Sequence, residues 1–483
     1  MTGVQTCAFR SNFDPKLPIN NTIIFFIGSL GSKFIQFFLV PLYTYVLTTE
    51  QYGVTEIVLT ASNVLMPVFS LSIADGLLRF GLDKNWKKED VLKTSLVIVL
   101  IGTVCSLLFI PVFASYDGLK YWMSYFLLIL NFRIYRDVFA INLKINDKNL
   151  YFAIDSIIYT FALCGFSVLF LTILKIGIKG YFLSYIVANI VSIINLVIVG
   201  KPLRGLINGK IHKTLLHDLI VYSIPMIANG IAWWVITASD RFILQYYEGA
   251  SSVGIYSVAS KIPTLISTFS GVFMQAWIIS AVTEYDEDRE KHFYSNVFHK
   301  YYVAMFVAAT CLISVARIFM RFYVSPDFQI AWKYTPLLIS GAIYSGMFGF
   351  FVGIYAAAKN SKSVTMTTVV GALINIILNC VFIPVIGIQG AVIATYIAWL
   401  VTTVIRIIDT RKILKFFIDY KKLAILMIIN VIHCICIINF EIKYSLIISV
   451  IIFGVIYSIE HSMINEILAQ GKKILLNKIR LGK

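Results

Sequence analysis

The stretch from Ser363 to Ile408 reads SVTMTTVVGALINIILNCVFIPV, then IGIQG, then AVIATYIAWLVTTVIRII. Each apolar run is about 20 residues, enough for an α-helix to cross a hydrocarbon layer about 30 Å thick. The glycine-bearing pentapeptide between them is a turn signal. A single charge, Arg406, sits in the whole segment. The pattern predicts two membrane helices, near 363–385 and 388–408, joined by a tight reversal.

Worked outward from this pair, the same pattern covers most of the chain. Apolar runs place further helices near 22–46, 54–80, 93–114, 121–143, 151–174 and 179–200. They continue near 217–241, 254–282, 299–323, 332–356, 422–438 and 444–460. About fourteen crossings of about 20 residues account for most of 483 residues, which are 59% hydrophobic and only 14% charged. Mean hydropathy is +0.82. The expected fold class is therefore an all-α polytopic membrane protein. Two six-helix bundles occupy 20–200 and 217–408, joined by a linker at 201–216. Two additional helices lie within 409–460, and a basic tail runs from 461 to 483.

The net charge of +16 invites a nucleic-acid reading, but no polar basic domain exists to carry one. Placement explains it instead. Loops that face the cytoplasm are enriched in Lys and Arg, and here the basic loops alternate: Lys84, Lys87 and Lys88; Lys144 and Lys148; Lys201, Arg204, Lys210 and Lys213; Arg289, Lys291 and Lys300; Lys359 and Lys362; Arg406 through Lys422. Both termini join that side. An even number of crossings with cytoplasmic N- and C-termini follows. Thr2 to Ser11 resembles a translated sequencing adapter and is set aside as an assembly artefact rather than native chain.

A repeat is visible within the chain. Ile176-Gly-Ile-Lys-Gly180 matches Ile386-Gly-Ile-Gln-Gly390 at an offset of 210 residues. In the second helix, Glu56, Thr60, Asn63, Pro67 and Ser70 form a polar stripe; in the eighth, Ser257, Lys261, Thr264, Thr268, Gly271 and Gln275 do the same. Six intervening helices give both halves one direction of entry, a pseudo-twofold parallel repeat of the kind transporters use.

Charges within membrane helices cost at least about 2.5–3.5 kcal/mol at the bilayer centre, so they mark candidate sites. Lys33 with Gln36, Glu56 with Asn63, Asn229 with Asp240 and Arg241, and Lys261 with Gln275 outline a cationic cavity suited to an anionic group. Asn63, Asn229 and Gln275 serve equally well as interhelical hydrogen-bonding residues. Asp75 with Arg79, and Arg133 with Asp137 beside Arg136, have the i, i+4 spacing of structural or gating pairs. No catalytic constellation is present. GxxxxGK[ST] is missing, the nearest string being Gly28-Ser-Leu-Gly-Ser-Lys33, and HExxH is missing too. Six of the seven cysteines fall inside apolar runs, where they act as small hydrophobes; no metal site and no cofactor are expected.

Three blocks carry a family resemblance. The first is Pro41-Leu-Tyr-Thr44, Glu50-Gln-Tyr-Gly53 and Leu78-Arg-Phe-Gly-Leu-Asp-Lys84. The second runs from Tyr222-Ser-Ile-Pro225 and Ala238-Ser-Asp-Arg241 through Gly254-Ile-Tyr256 and Lys261-Ile-Pro263 to Gln275-Ala-Trp277 and Phe293-Tyr-Ser295. The third spans Asn375 to Asn379 and Gly387-Ile-Gln-Gly390. Together they resemble Wzx-type polysaccharide flippases of the multidrug/oligosaccharidyl-lipid/polysaccharide exporter superfamily. The resemblance implies alternating-access transfer of undecaprenyl-diphosphate-linked oligosaccharide (an O-antigen, capsule or exopolysaccharide repeat unit of lipopolysaccharide-type pathways) across the bacterial cytoplasmic, or inner, membrane. It implies Lys33, Arg241 and Lys261 as contacts for the diphosphate or acidic sugars, and Asp240 as partner of Arg241 or proton-responsive group. Coupling to a proton or sodium gradient fits a chain with no ATPase motif. Membrane lipid, a polysaccharide polymerase and chain-length machinery are the implied partners. A drug or metabolite exporter of the same superfamily is the first rival. A membrane glycan polymerase or ligase, a scramblase and an assembly scaffold belong to other classes.

Overall fold

The computed structural model describes residues 19–83, 85–283 and 291–481. They are helical nearly throughout, with no strand among them. The helices are α1 (Ile19–Val46), α2 (Thr49–Phe69), α3 (Ile73–Gly81), α4 (Lys88–Leu108), α5 (Ile110–Ala114), α6 (Asp117–Lys120), α7 (Met123–Ile145) and α8 (Asn149–Val168). After α8 a π-helical turn spans Leu169–Ile173. Then follow α9 (Gly177–Gly200), α10 (Pro202–Asn208), α11 (Lys213–Ala259), α12 (Pro263–Thr283), α13 (Lys291–Tyr323) and a 3-10 segment, Pro326–Lys333. The chain closes with α14 (Thr335–Ala357), α15 (Ser361–Thr410), α16 (Tyr420–Asn439) and α17 (Ile442–Leu481). Residues 2–11 lie outside the described part.

Eleven helices among the described residues are long and apolar enough to cross a membrane. This is consistent with about fourteen crossings. One of the eleven, α15, is 50 residues long and bends back at Ile386 (φ −131°, ψ 18°) and Gly387 (φ 56°, ψ −133°), so it supplies two legs. Helix α7 falls outside the set because every stretch of 18 residues in it contains Arg133, Arg136 and Asp137. The chain is an all-α polytopic membrane protein.

Contacts divide the chain into two compact units, Met1–Gly254 and Ile255–Lys483. In the first, α9 packs on α7 and α8, and α1 lies along α8. The linker segment is not free. Helix α10 lies on α4, and Gly209 sits so close to the Glu89 carbonyl that a Cβ there would come within 2.5 Å of it. Asp90 then accepts the Lys210 amide at 2.6 Å and faces His212 Nε2 at 3.3 Å. In the second unit α14 is the hub, with 78% of its crossing segment buried. It packs against α12 and α15.

The two matching pentapeptides adopt related turns. Gly177 and Gly387 both take positive φ, 58° and 56°, a region that L side chains rarely enter. At the fifth position, a Cβ on Gly180 would stand 3.0 Å from Phe170 Cβ, and one on Gly390 would stand 2.4 Å from the Phe382 carbonyl oxygen. In both turns the last glycine lets the returning helix approach closely.

Candidate translocation site

The best-defined part of the expected site is the Asp240–Arg241 pair on α11. Asp240 is buried, and its Oδ1 accepts the Arg241 amide at 2.8 Å. Arg241 Nη1 donates to the Thr237 carbonyl at 3.2 Å and stands 3.7 Å from Asp240 Oδ1. The guanidinium is thus folded back along its own helix. Asn229 lies one face-repeat earlier on α11, and its side chain is outside the described part.

On α1, Lys33 and Gln36 are exposed. Glu56 on α2 is buried, and Asn63, two turns on, is half-buried with an unpartnered Oδ1. Beside α2 the rings of Tyr43, Tyr52 and Tyr181 form an aromatic cluster with centroids 4.6–6.5 Å apart. Tyr43 Oη meets Ser167 Oγ at 3.0 Å.

Lys261 departs from the expected placement. It sits in a turn between α11 and α12 rather than mid-helix, and its amide donates to the Val258 carbonyl at 3.0 Å. Pro263 opens α12 and disfavours helical backbone at Ile262. The stripe from Ser257 to Gln275 is therefore split: only Thr264, Thr268, Gly271 and Gln275 share one helix. Lys261 is half-buried and Gln275 exposed. Helix two is broken as well, at Ser70–Ser72, where Leu71 and Ser72 take φ of 50° and 49°.

Neither expected i, i+4 ion pair forms among the described residues. Asp75 is half-buried and Arg79 exposed; Arg133 and Asp137 are both half-buried. Arg136 instead reaches Asp155 on α8, a residue the sequence reading passed over. Its Nη2 lies 3.2 Å from Asp155 Oδ2, and its Nε donates to Ser192 Oγ at 2.7 Å. Ser192 Oγ is 2.8 Å from both Asp155 oxygens, and Asn195 Nδ2 donates to Oδ1 at 3.1 Å. The guanidinium also stacks 4.0 Å from the Tyr159 ring centroid. A lone acid within the apolar run 151–174 was the available signal.

A second correction concerns Arg406, which the charge count assigned to a basic loop. It is fully buried. Its Nη1 donates to the Phe348 carbonyl at 2.7 Å, its Nε to Thr367 Oγ1 at 2.9 Å, and its Nη2 to Val364 O and Thr368 Oγ1, both at 3.2 Å. The guanidinium carbon lies 3.3 Å from the Phe348 ring centroid. Arg406 ties the two legs of α15 to α14. Nearby, Asn379 Nδ2 donates to Asn375 Oδ1 at 3.0 Å, both side chains buried.

Glu460 is one of the residues that attach the two C-terminal helices, alongside Cys434 against Ser340 and Glu466 against Lys300. Helix α17 runs on to Leu481, well past the expected end at 460, with a kink at Glu460 (φ −122°, ψ 24°). The buried carboxylate meets His299 Nε2 of α13 at 2.9 Å and Lys422 Nζ of α16 at 3.7 Å. Among the described residues no group of three or more His, Cys, Asp or Glu side chains is placed to hold a metal ion.

Comparison with known proteins follows the same lines. The family model "Polysaccharide biosynthesis protein" matches residues 19–279, more than half of the chain, and the MatE model matches 225–381. No curated protein matches. A solved structure of the lipid II flippase MurJ, in an inward closed conformation, superposes with a TM-score of 0.69 at 16% identity; it covers 92% of this chain and 100% of that one. An inward-facing multidrug resistance MATE family transporter of the MOP superfamily gives 0.63 at 12% identity, covering 81% and 93%. An outward-facing one gives 0.58 at 14% identity, covering 85% and 98%. At such identities the likeness speaks for the fold. With the family model spanning more than half its length, the chain belongs to the polysaccharide biosynthesis protein family, within the multidrug/oligosaccharidyl-lipid/polysaccharide exporter superfamily of membrane transporters and flippases.

Proposed function

We propose that this protein flips an undecaprenyl-diphosphate-linked oligosaccharide, an O-antigen, capsule or exopolysaccharide unit, from the inner to the outer leaflet of a bacterial cytoplasmic membrane. The family match over residues 19–279 carries this reading, and the likeness to a lipid II flippase across 92% of the chain supports it. Both termini face the cytoplasm on this account, where the basic loops lie. Lys33, Arg241 and Lys261 supply positive charge for a diphosphate or acidic sugar. Transport proceeds by alternating access of the two halves, driven by a proton or sodium gradient. A polysaccharide polymerase and chain-length proteins would receive the product.

The test is reconstitution with defined lipid-linked oligosaccharide, scoring leaflet exchange with and without an imposed ion gradient. Gradient-stimulated exchange is expected in wild type. Lys33→Ala and Lys261→Ala should each lower it at least tenfold, as loss of a charged contact worth about 1.5–3 kcal/mol implies. Wild-type flux in both variants contradicts the placement of those residues in the pathway. The MatE match over 225–381 favours a second reading, export of a small drug or metabolite. Uptake of an organic cation in place of the lipid by the same vesicles would select it.

A further inference from the structure

We propose that the groove between the two legs of α15 is a binding site for one phospholipid of the surrounding bilayer, with its acyl chain in the groove and an anionic headgroup at Lys412. The groove is an open depression of about 290 Å³ between the start of the first leg and the end of the second. Met366 and Val370 form one wall, Ile405 and Ile408 the other, and Asp409 and Lys412 stand at the mouth.

Two features select this occupant. The first is that the walls belong to membrane-crossing helix, yet Met366 is 62% and Ile408 58% exposed. Exposed apolar side chains on a membrane-crossing helix face lipid, and a concave surface holds a chain against protein on two sides.

The second is the charge at the mouth. Lys412 lines it and is exposed, Lys362 is exposed next to the lining residue Ser363, and Arg411, next to Lys412, lies 4.7 Å from the Tyr420 ring centroid. The single carboxylate, Asp409, already accepts the Tyr355 hydroxyl at 2.8 Å and lies 3.7 Å from Lys412 Nζ. Lys412 remains 76% exposed. A basic rim above an apolar slot matches an acidic phospholipid, since each Lys near a membrane surface adds about a fivefold preference for anionic lipid. The groove floor is firm because Thr367, also lining it, is held by Arg406. The site is independent of the transported cargo.

Native mass spectrometry of the full chain, released from nanodiscs of equal phosphatidylglycerol and phosphatidylethanolamine, tests it. Wild type should retain one phospholipid, with phosphatidylglycerol preferred about fivefold. Met366→Trp fills the slot and should abolish retention. Ile408→Trp, from the opposite wall, gives the same readout if the first variant does not fold. Lys412→Gln should keep the lipid and reduce the headgroup preference. Undiminished retention in a folded Trp variant overturns the proposal. So does a wild type that retains nothing, or one that retains only added undecaprenyl phosphate.

Discussion

Two arginines of this chain point into helix bundles, and they are accommodated in opposite ways. Arg136, in the first unit, is neutralised by the carboxylate of Asp155, which Ser192 and Asn195 hold in place. Arg406, in the second, meets no carboxylate; two carbonyls, two threonine hydroxyls and the face of Phe348 take its donors. The first arrangement balances charge with charge and fails if either partner is removed. In the second, dispersed dipoles solvate the cation, so its removal strands no opposite charge. Removing one partner of a buried ion pair leaves an uncompensated charge, whereas removing a dipole-solvated ion leaves only hydrogen-bonding groups without a partner.

That contrast sets the order of expected effects. Asp155→Leu, which leaves Arg136 uncompensated, should lower stability in mixed-micelle unfolding by about 3–5 kcal/mol. Adding Arg136→Met should recover most of the loss, and a double variant as unstable as Asp155→Leu alone would break the pairing account. Arg406→Leu should cost about 1–3 kcal/mol, from lost hydrogen bonds between the legs of α15 and α14. A larger loss than for Asp155→Leu would reverse the comparison.

Smaller effects sharpen it. Gly177→Ala should cost about 1–2 kcal/mol because the glycine sits at positive φ, and Gly387→Ala, at φ 56° and ψ −133°, about 1–3 kcal/mol. A neutral result at one and not the other would separate the two turns. Asp147→Asn removes an exposed contact to Lys88 at 3.9 Å and should leave the unfolding midpoint unchanged.

The helices were legible because lipid solvent imposes a length and an apolarity that few other elements share. Glycine turns at 177 and 387 were legible for a related reason: glycine enters positive φ more readily than any other residue, although Asp147 and Lys359 make reversals of the same kind. Charges were harder. The i, i+4 spacing of Arg133 and Asp137 is local, whereas Arg136 finds Asp155 across two helices, and tertiary geometry decides between such partners. Arg406 lies two residues from the expected end of its helix, where a loop cation and a buried one look alike in sequence. Apolar residues continue on both sides of Lys261 and suggest one helix over 254–282, yet Pro263 opens a new helix there. The run of α17 past Glu460 was hidden for the opposite reason, since polar residues follow it.

The most direct test of the central claim is leaflet exchange of an undecaprenyl-diphosphate-linked oligosaccharide in vesicles containing the purified full-length chain. Exchange that depends on the protein, accelerates with an ion gradient and falls at least tenfold in Lys33→Ala is the expected result. Exchange no faster than in protein-free vesicles, from chains that unfold cooperatively and are correctly inserted, would contradict it.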